Sequence, residues 1–222
     1  MITVHHLNKS RSQRVLWLLE ELEVPYELVK YEREPKTLLA PPELQKIHPL
    51  GKSPVITDGD VTVAESGAIL EYIVETYGNG RLVPPANTAE FRHYRYFMRY
   101  AEGSLMPYLL LTLIFDRVRT APVPFFVKPI ARKIADKVNA DFVAPNLTRH
   151  LKFLGDHLAK HTWFAGAELT AADIQMSYAV EAIASRLGHM DVSPKIRELA
   201  KRMQERPAFK RAVAKGGPSI PE

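Results

Sequence analysis

The feature that most limits what this 222-residue chain can become is one change of hydrophobic period near residue 80. Before it, strand and helix periods alternate. Ile2, Val4 and His6 alternate with Thr3, His5 and Leu7, which predicts a strand. Val15, Leu16, Leu18, Leu19 and Leu22 then share one helical face, closed by Val24-Pro25 because proline cannot extend a helix. Tyr26 to Tyr31 alternates again. Glu32 to Pro49 is irregular and Pro-rich, with a short helix around Glu43 to Ile47. Asp58-Gly59-Asp60 between two short apolar runs predicts a hairpin, and a helix follows over Ser66 to Tyr77. The predicted order is β-α-β-α-β-β-α, a small two-layer α/β unit.

Beyond the break only the helical period remains. Gly78-Asn79-Gly80 and Pro84-Pro85 mark a linker over residues 79–87, dividing a domain at 1–78 from an all-α domain at 88–222. A long helix is expected from Thr88 to Asp116, bent at Pro107. A stiff connector should follow over Arg117 to Ile130, with helices at about 131–160, 170–186, 191–205 and 207–214. The tail from Gly216 onward should fray. Thr170-x-x-Asp173, flanked by Leu169 and Ile174, is a capping box with its hydrophobic staple, a structural signal without a catalytic part.

Charge and composition narrow the function classes. The net charge is +5, but the basic residues are spread out, which argues against a nucleic-acid partner. The densest group, Lys128, Arg132, Lys133 and Lys137, falls at helical spacing and reads as a solvated face. The most apolar run, Leu105 to Phe115, is about half a membrane-spanning length, so no membrane partner is expected. No targeting segment is evident at Met1 to Leu7, and the lack of cysteine suits a reducing, cytoplasmic setting. Without cysteine, any sulfur chemistry needs a borrowed thiol.

Three segments then carry a resemblance. His48-Pro49-Leu50-Gly51-Lys52-Ser53-Pro54-Val55-Ile56, Ala64-Glu65-Ser66-Gly67-Ala68-Ile69 and Gly166-Ala167-Glu168-Leu169-Thr170-Ala171-Ala172-Asp173-Ile174 occur in order and at suitable distances. Together they resemble the cytosolic-type glutathione transferases. The resemblance implies a thioredoxin-like N-terminal domain followed by an all-α helical domain, a homodimer, and glutathione as co-substrate without a metal. A cis Ser53-Pro54 bond would offer the Ser53 backbone to the cysteinyl unit of the tripeptide. Lys52 would meet a ligand carboxylate. Ser66 and its helix N-terminus would meet the γ-glutamyl carboxylate, with Glu65 near the ammonium.

Counting back four from Arg14, which is similar to the family's first-helix arginine, Ser10 falls where serine-type members carry the catalytic hydroxyl. A hydrogen bond to sulfur would favour the thiolate. Ser10-x-x-Gln13 also reads as a capping box, and Asn8, Arg11 and Ser12 are close enough to share the role. An apolar electrophile pocket would draw on Tyr100, Met106, Tyr108, Phe115, Phe125 and Phe126, residues whose spacing equally suits a core. The implied reaction is thiolate attack on small apolar electrophiles, a detoxification chemistry. Glutathione-dependent peroxide or disulfide reduction and a non-catalytic carrier are the alternatives.

Overall fold

The computed structural model describes residues 1–188 and 190–220. The N-terminal part forms one four-stranded sheet. Strand β1 (Ile2–Leu7) precedes helix α1 (Gln13–Leu22) and strand β2 (Tyr26–Tyr31). A 3₁₀ turn at Pro42–Lys46 leads to strands β3 (Val55–Asp58) and β4 (Val61–Ala64) and helix α2 (Ser66–Tyr77). The sheet order is β2-β1-β3-β4. β1 pairs parallel to β2, Val4 against Leu28, and antiparallel to β3, Val4 against Ile56. This is the thioredoxin-like layer, with α1 and α2 against it.

The remaining chain is helical: α3 (Ala89–Tyr100), α4 (Met106–Thr120), α5 (Lys128–Val138), α6 (Ala144–Leu158), α7 (Ala171–Arg186), α8 (Pro194–Glu205) and α9 (Pro207–Gly216). Thr88 begins α3 by accepting a hydrogen bond from the Phe91 N–H at 3.1 Å. The long helix expected to end at Asp116 runs on to Thr120, and the connector shrinks to residues 121–127. It does not break at Pro107. Ala101–Leu105 instead forms a π turn between α3 and α4, and Pro107 sits in the first turn after it, where its missing N–H costs little. A second π turn, Asn139–Val143, separates α5 from α6.

One core spans both parts. α1 is buried along nearly its whole length, with Val15, Leu16, Trp17, Leu18 and Leu19 inaccessible to solvent. α9 lies across it: the Phe209 ring meets Trp17 edge-on at 5.1 Å. Arg206 pairs with Glu21, while Arg211 and Lys215 both pair with Glu20. The tail does not fray at its start, contrary to expectation. The Gly216 carbonyl lies 2.9 Å from His6 Nε2, and the Ser219 hydroxyl donates to the buried Glu181 carboxylate. A methyl group at Gly216 would fall 2.4 Å from Gln13 Oε1 and 2.5 Å from Leu16 Cδ1, so a larger residue there forces those side chains to shift.

The predicted cap at α7 is present. Asp173 is fully buried and accepts from Thr170 N at 2.8 Å, the Thr170 hydroxyl at 2.9 Å and Phe164 N at 2.7 Å. Burial pushes its carboxyl up to about 6 despite these donors.

Candidate functional site

The sheet's C-terminal edge and the start of α2 frame a polar cleft lined by Arg11, His48, Lys52, Ser53, Glu65, Ser66 and Glu102, among others. Lys52, Ser53, Pro54, Glu65 and Ser66, expected from two separate motifs, meet around this one cleft. The Ser53-Pro54 bond is cis. The Ser53 hydroxyl is committed to β1, donating to His5 O at 2.9 Å and accepting from Leu7 N at 3.1 Å. That tie fixes the segment and leaves recognition to its backbone.

Glu65 adopts φ 74°, a left-handed conformation that a non-glycine residue holds at a cost of about 1 kcal/mol or more. The Glu65 side chain makes no cap bond to α2. Ser66, the first residue of α2, lines the cleft, so the positive end of the helix dipole adjoins it.

The first turn is arranged differently from the sequence expectation. Ser10 is only 5% exposed and does not line the cleft. Its hydroxyl donates to Leu7 O at 2.7 Å and accepts from Ser12 N at 3.2 Å. The Ser12 hydroxyl lies 2.8 Å from it as well, so every polar partner of the Ser10 hydroxyl belongs to this turn. The expected capping box does not form: Gln13 N reaches the Ser10 carbonyl at 3.3 Å, and the buried Gln13 amide has no hydrogen-bond partner among the described residues. Ser12 is buried too, 2.8 Å from His6 Nδ1. Asn8 turns aside to Glu32 and to Arg33 N. Of the four first-turn candidates, only Arg11 lines the cleft.

Arg11 also lines a second cavity, with Met106, Leu109, Leu113, Tyr178 and Leu187 among its walls. Thr112, Asp116 and Arg186 join these mainly apolar walls, and Arg11 is the one residue that lines both cavities. Of the aromatic and apolar set expected there, Met106 alone lines it. Tyr100 is buried and bonded to His150 Nδ1 at 2.6 Å. Tyr108 packs toward His150 and Phe142, and Phe115 lies outside the cavity wall. Phe125 and Phe126 are solvent-exposed at the far end of α4.

An ionic cluster holds Arg11. Its Nε lies 3.2 Å from Glu102 Oε2, while Arg14 Nη1 donates to Glu102 Oε1 at 2.9 Å and to Gln175 Oε1 at 2.8 Å. Both guanidinium groups also lie over the Tyr178 ring, at 5.4 and 5.7 Å. Within this trio two cations share one carboxylate, while the carboxyl of Glu181 interacts with Arg14 and Asp116 lines the second cavity. Arg14 is fully enclosed, and burial lowers its pKa against the raising effect of Glu102. Glu102, His48 and Tyr178 were not singled out from the sequence. Glu102 belongs to the π turn, 91 positions beyond Arg11, and no local pattern links them.

Comparison with known proteins places this geometry. The family model "Glutathione S-transferase, N-terminal domain" matches residues 1–75, and "Glutathione S-transferase, C-terminal domain" matches residues 119–216. The chain is 36% identical over 217 residues to glutathione S-transferase 3 of Schizosaccharomyces pombe, covering 97% of this chain and 88% of that one. It is 34% identical to glutathione S-transferase 1 of Saccharomyces cerevisiae, covering 82% and 80%. Among solved structures, a glutathione S-transferase from Actinobacillus pleuropneumoniae superposes with a TM-score of 0.78 at 29% identity, covering 99% of this chain and 94% of that one.

Proposed function

The chain belongs to the glutathione S-transferase family, and from that premise we propose that it joins the sulfur of glutathione to small apolar electrophiles at the junction marked by Arg11. The observation that carries this is the pair of adjoining cavities, one with the polar groups of Lys52, Glu65 and Ser66 and one with Met106 and leucine walls, sharing that single side chain.

In this reading the tripeptide occupies the polar cleft. The N-terminus of α2 and Ser66 take the γ-glutamyl carboxylate, Glu65 its ammonium, the Ser53 backbone the cysteinyl unit, and Lys52 a carboxylate. The sulfur then lies beside Arg11. A nearby cation favours the charged form of a thiol and lowers its pKa by about 1–3 units. The thiol proton leaves to solvent, the thiolate forms a carbon–sulfur bond with the electrophile, and any leaving group departs with the bonding pair. Holding both reactants at one junction supplies the rest, by effective concentration.

Arg11 therefore takes the role first read onto Ser10. The Ser10 hydroxyl reaches sulfur only by releasing Leu7 O, so it is better read as the residue that positions the turn. A homodimer and a cytoplasmic setting complete the proposal, resting on family membership.

The test is the apparent pKa of enzyme-bound glutathione, followed by thiolate absorbance in wild type, Arg11→Met and Ser10→Ala. Loss of the pKa depression in Arg11→Met, with its retention in Ser10→Ala, is the expected result. The reverse pattern would return the thiol to the serine hydroxyl. No depression in any variant would remove thiolate stabilisation altogether.

A further inference from the structure

The hairpin of α4 and α5 has an apex that the catalytic reading leaves unused. Phe125 and Phe126 are 82% and 65% exposed, their rings edge to face at 5.6 Å. One turn apart on α5, Ile130 and Ile134 are 60% and 53% exposed and continue the apolar strip from the apex. Exposed apolar side chains are ordinary when scattered, but a contiguous group of four marks a contact surface.

The surrounding charge is mainly positive, with Asp136 the acidic member of the surface. Arg117, Lys128, Arg132 and Lys133 take part in no ion pair among the described residues, whereas Arg119 is paired with Asp136 and Lys137 with Asp141. Phe125, Lys128, Arg132, Lys133 and Lys137 border one shallow surface. The sequence alone suggested only a solvated basic face; solvation accounts for the lysines and leaves the phenylalanines unexplained.

We infer that this apex docks the protein onto an anionic lipid bilayer, lying on it and not spanning it. The chemistry fits the depth profile of such a surface. Aromatic rings at the tip reach the acyl boundary, and cations one turn behind them sit level with lipid phosphates. Two adjacent exposed aromatic rings at the apex of a helical hairpin suit insertion between headgroups. No helix among the described residues is long and apolar enough to cross a membrane, so the contact is peripheral. The contact lies away from Arg11, and its failure would leave the transferase reading unaffected.

Flotation with phosphatidylcholine vesicles, with and without roughly a third phosphatidylserine, tests this. The full chain should float with the anionic vesicles and far less with the neutral ones, and high salt should weaken the binding. The triple variant Lys128→Gln, Arg132→Gln, Lys133→Gln should bind anionic vesicles about a hundredfold more weakly. Phe125→Ser with Phe126→Ser should abolish the part that survives high salt. If the phenylalanine variant proves unfolded by circular dichroism, the charge variant decides alone. Wild type that stays with the soluble fraction overturns the proposal. So does anionic binding that survives the charge variant. A fall in sedimentation coefficient of the phenylalanine variant without vesicles also overturns it, because a second copy then covers the patch.

Discussion

Replacing Glu102 by Gln should move stability and thiol acidity in opposite directions. The carboxylate serves two cations, Arg14 at 2.9 Å and Arg11 at 3.2 Å. The Arg14 side chain is 1% exposed and the Glu102 side chain 32%. Removing one partner of a fully buried pair costs about 3–5 kcal/mol. Partial solvation of Glu102 lowers that figure, and the Gln carbonyl still accepts from Arg14, so about 1–2 kcal/mol should be lost. At roughly 2–4 °C per kcal/mol for a chain of this size, the melting temperature should fall by about 2–8 °C. The cluster meanwhile gains a unit of positive charge. The bound thiol should therefore become more acidic, by roughly half a unit at low salt and less at 1 M. Differential scanning calorimetry reads the first effect and thiolate absorbance the second. An unchanged melting temperature would refute the buried pairing. A raised thiol pKa would show that Glu102 acts by holding Arg11 in place and that field strength at the junction is secondary.

Two further outcomes follow from packing and titration. Gly216→Ala drives a methyl group into Gln13 and Leu16 at 2.4 and 2.5 Å and should cost about 1–3 kcal/mol in urea unfolding; a neutral effect would mean that α9 docks more loosely on α1. His157 stacks on His161 at 4.4 Å and meets His93 at 5.2 Å, and burial lowers its pKa from 6.5 to about 4. Because the folded pKa is depressed, its neutral form contributes stability above pH 6.5, which is lost as pH falls towards 4. His157 is half-buried, so the contribution is discounted to about 1–2 kcal/mol. His157→Gln should flatten the rise of stability between pH 4 and 6.5, and an unchanged slope would assign that rise to other groups.

Much of the fold is legible because its signals are local. Alternation in Ile2–Leu7, the helical stripe of α1, Asp58-Gly59-Asp60 and the Thr170–Asp173 cap each depend on residues a few positions apart. Lys52–Pro54 and Glu65–Ser66 were legible for the same reason, as short runs with their own backbone chemistry. What was not legible depends on distance. Glu102 reaches Arg11 across the chain, and the second cavity beside Arg11 draws Leu109 and Leu113 from α4 and Tyr178 and Leu187 from the α7 region. Aromatic character alone gave no position: Tyr100, Tyr108 and Phe115 lie outside that cavity, while leucines of no local distinction line it. Ser10 shows a subtler limit: its position at the mouth of α1 was readable, but the partners of its hydroxyl, Leu7 O and the Ser12 hydroxyl, are a matter of backbone geometry.

The π turn at Ala101–Leu105 amounts to a phase shift written into a helix. An α-helix advances about 100° per residue, so one extra residue in a turn rotates everything after it by that angle. α3 ahead of the turn presents Tyr94 and Phe97 to the shared core, and α4 behind it presents Met106 and Leu109 to the cavity beside Arg11. An uninterrupted ladder of the same composition would swing that wall away and leave Glu102 out of reach of two guanidinium groups. A single residue in the length of the 101–105 segment thus decides which side of a fifteen-residue helix meets the cavity beside Arg11.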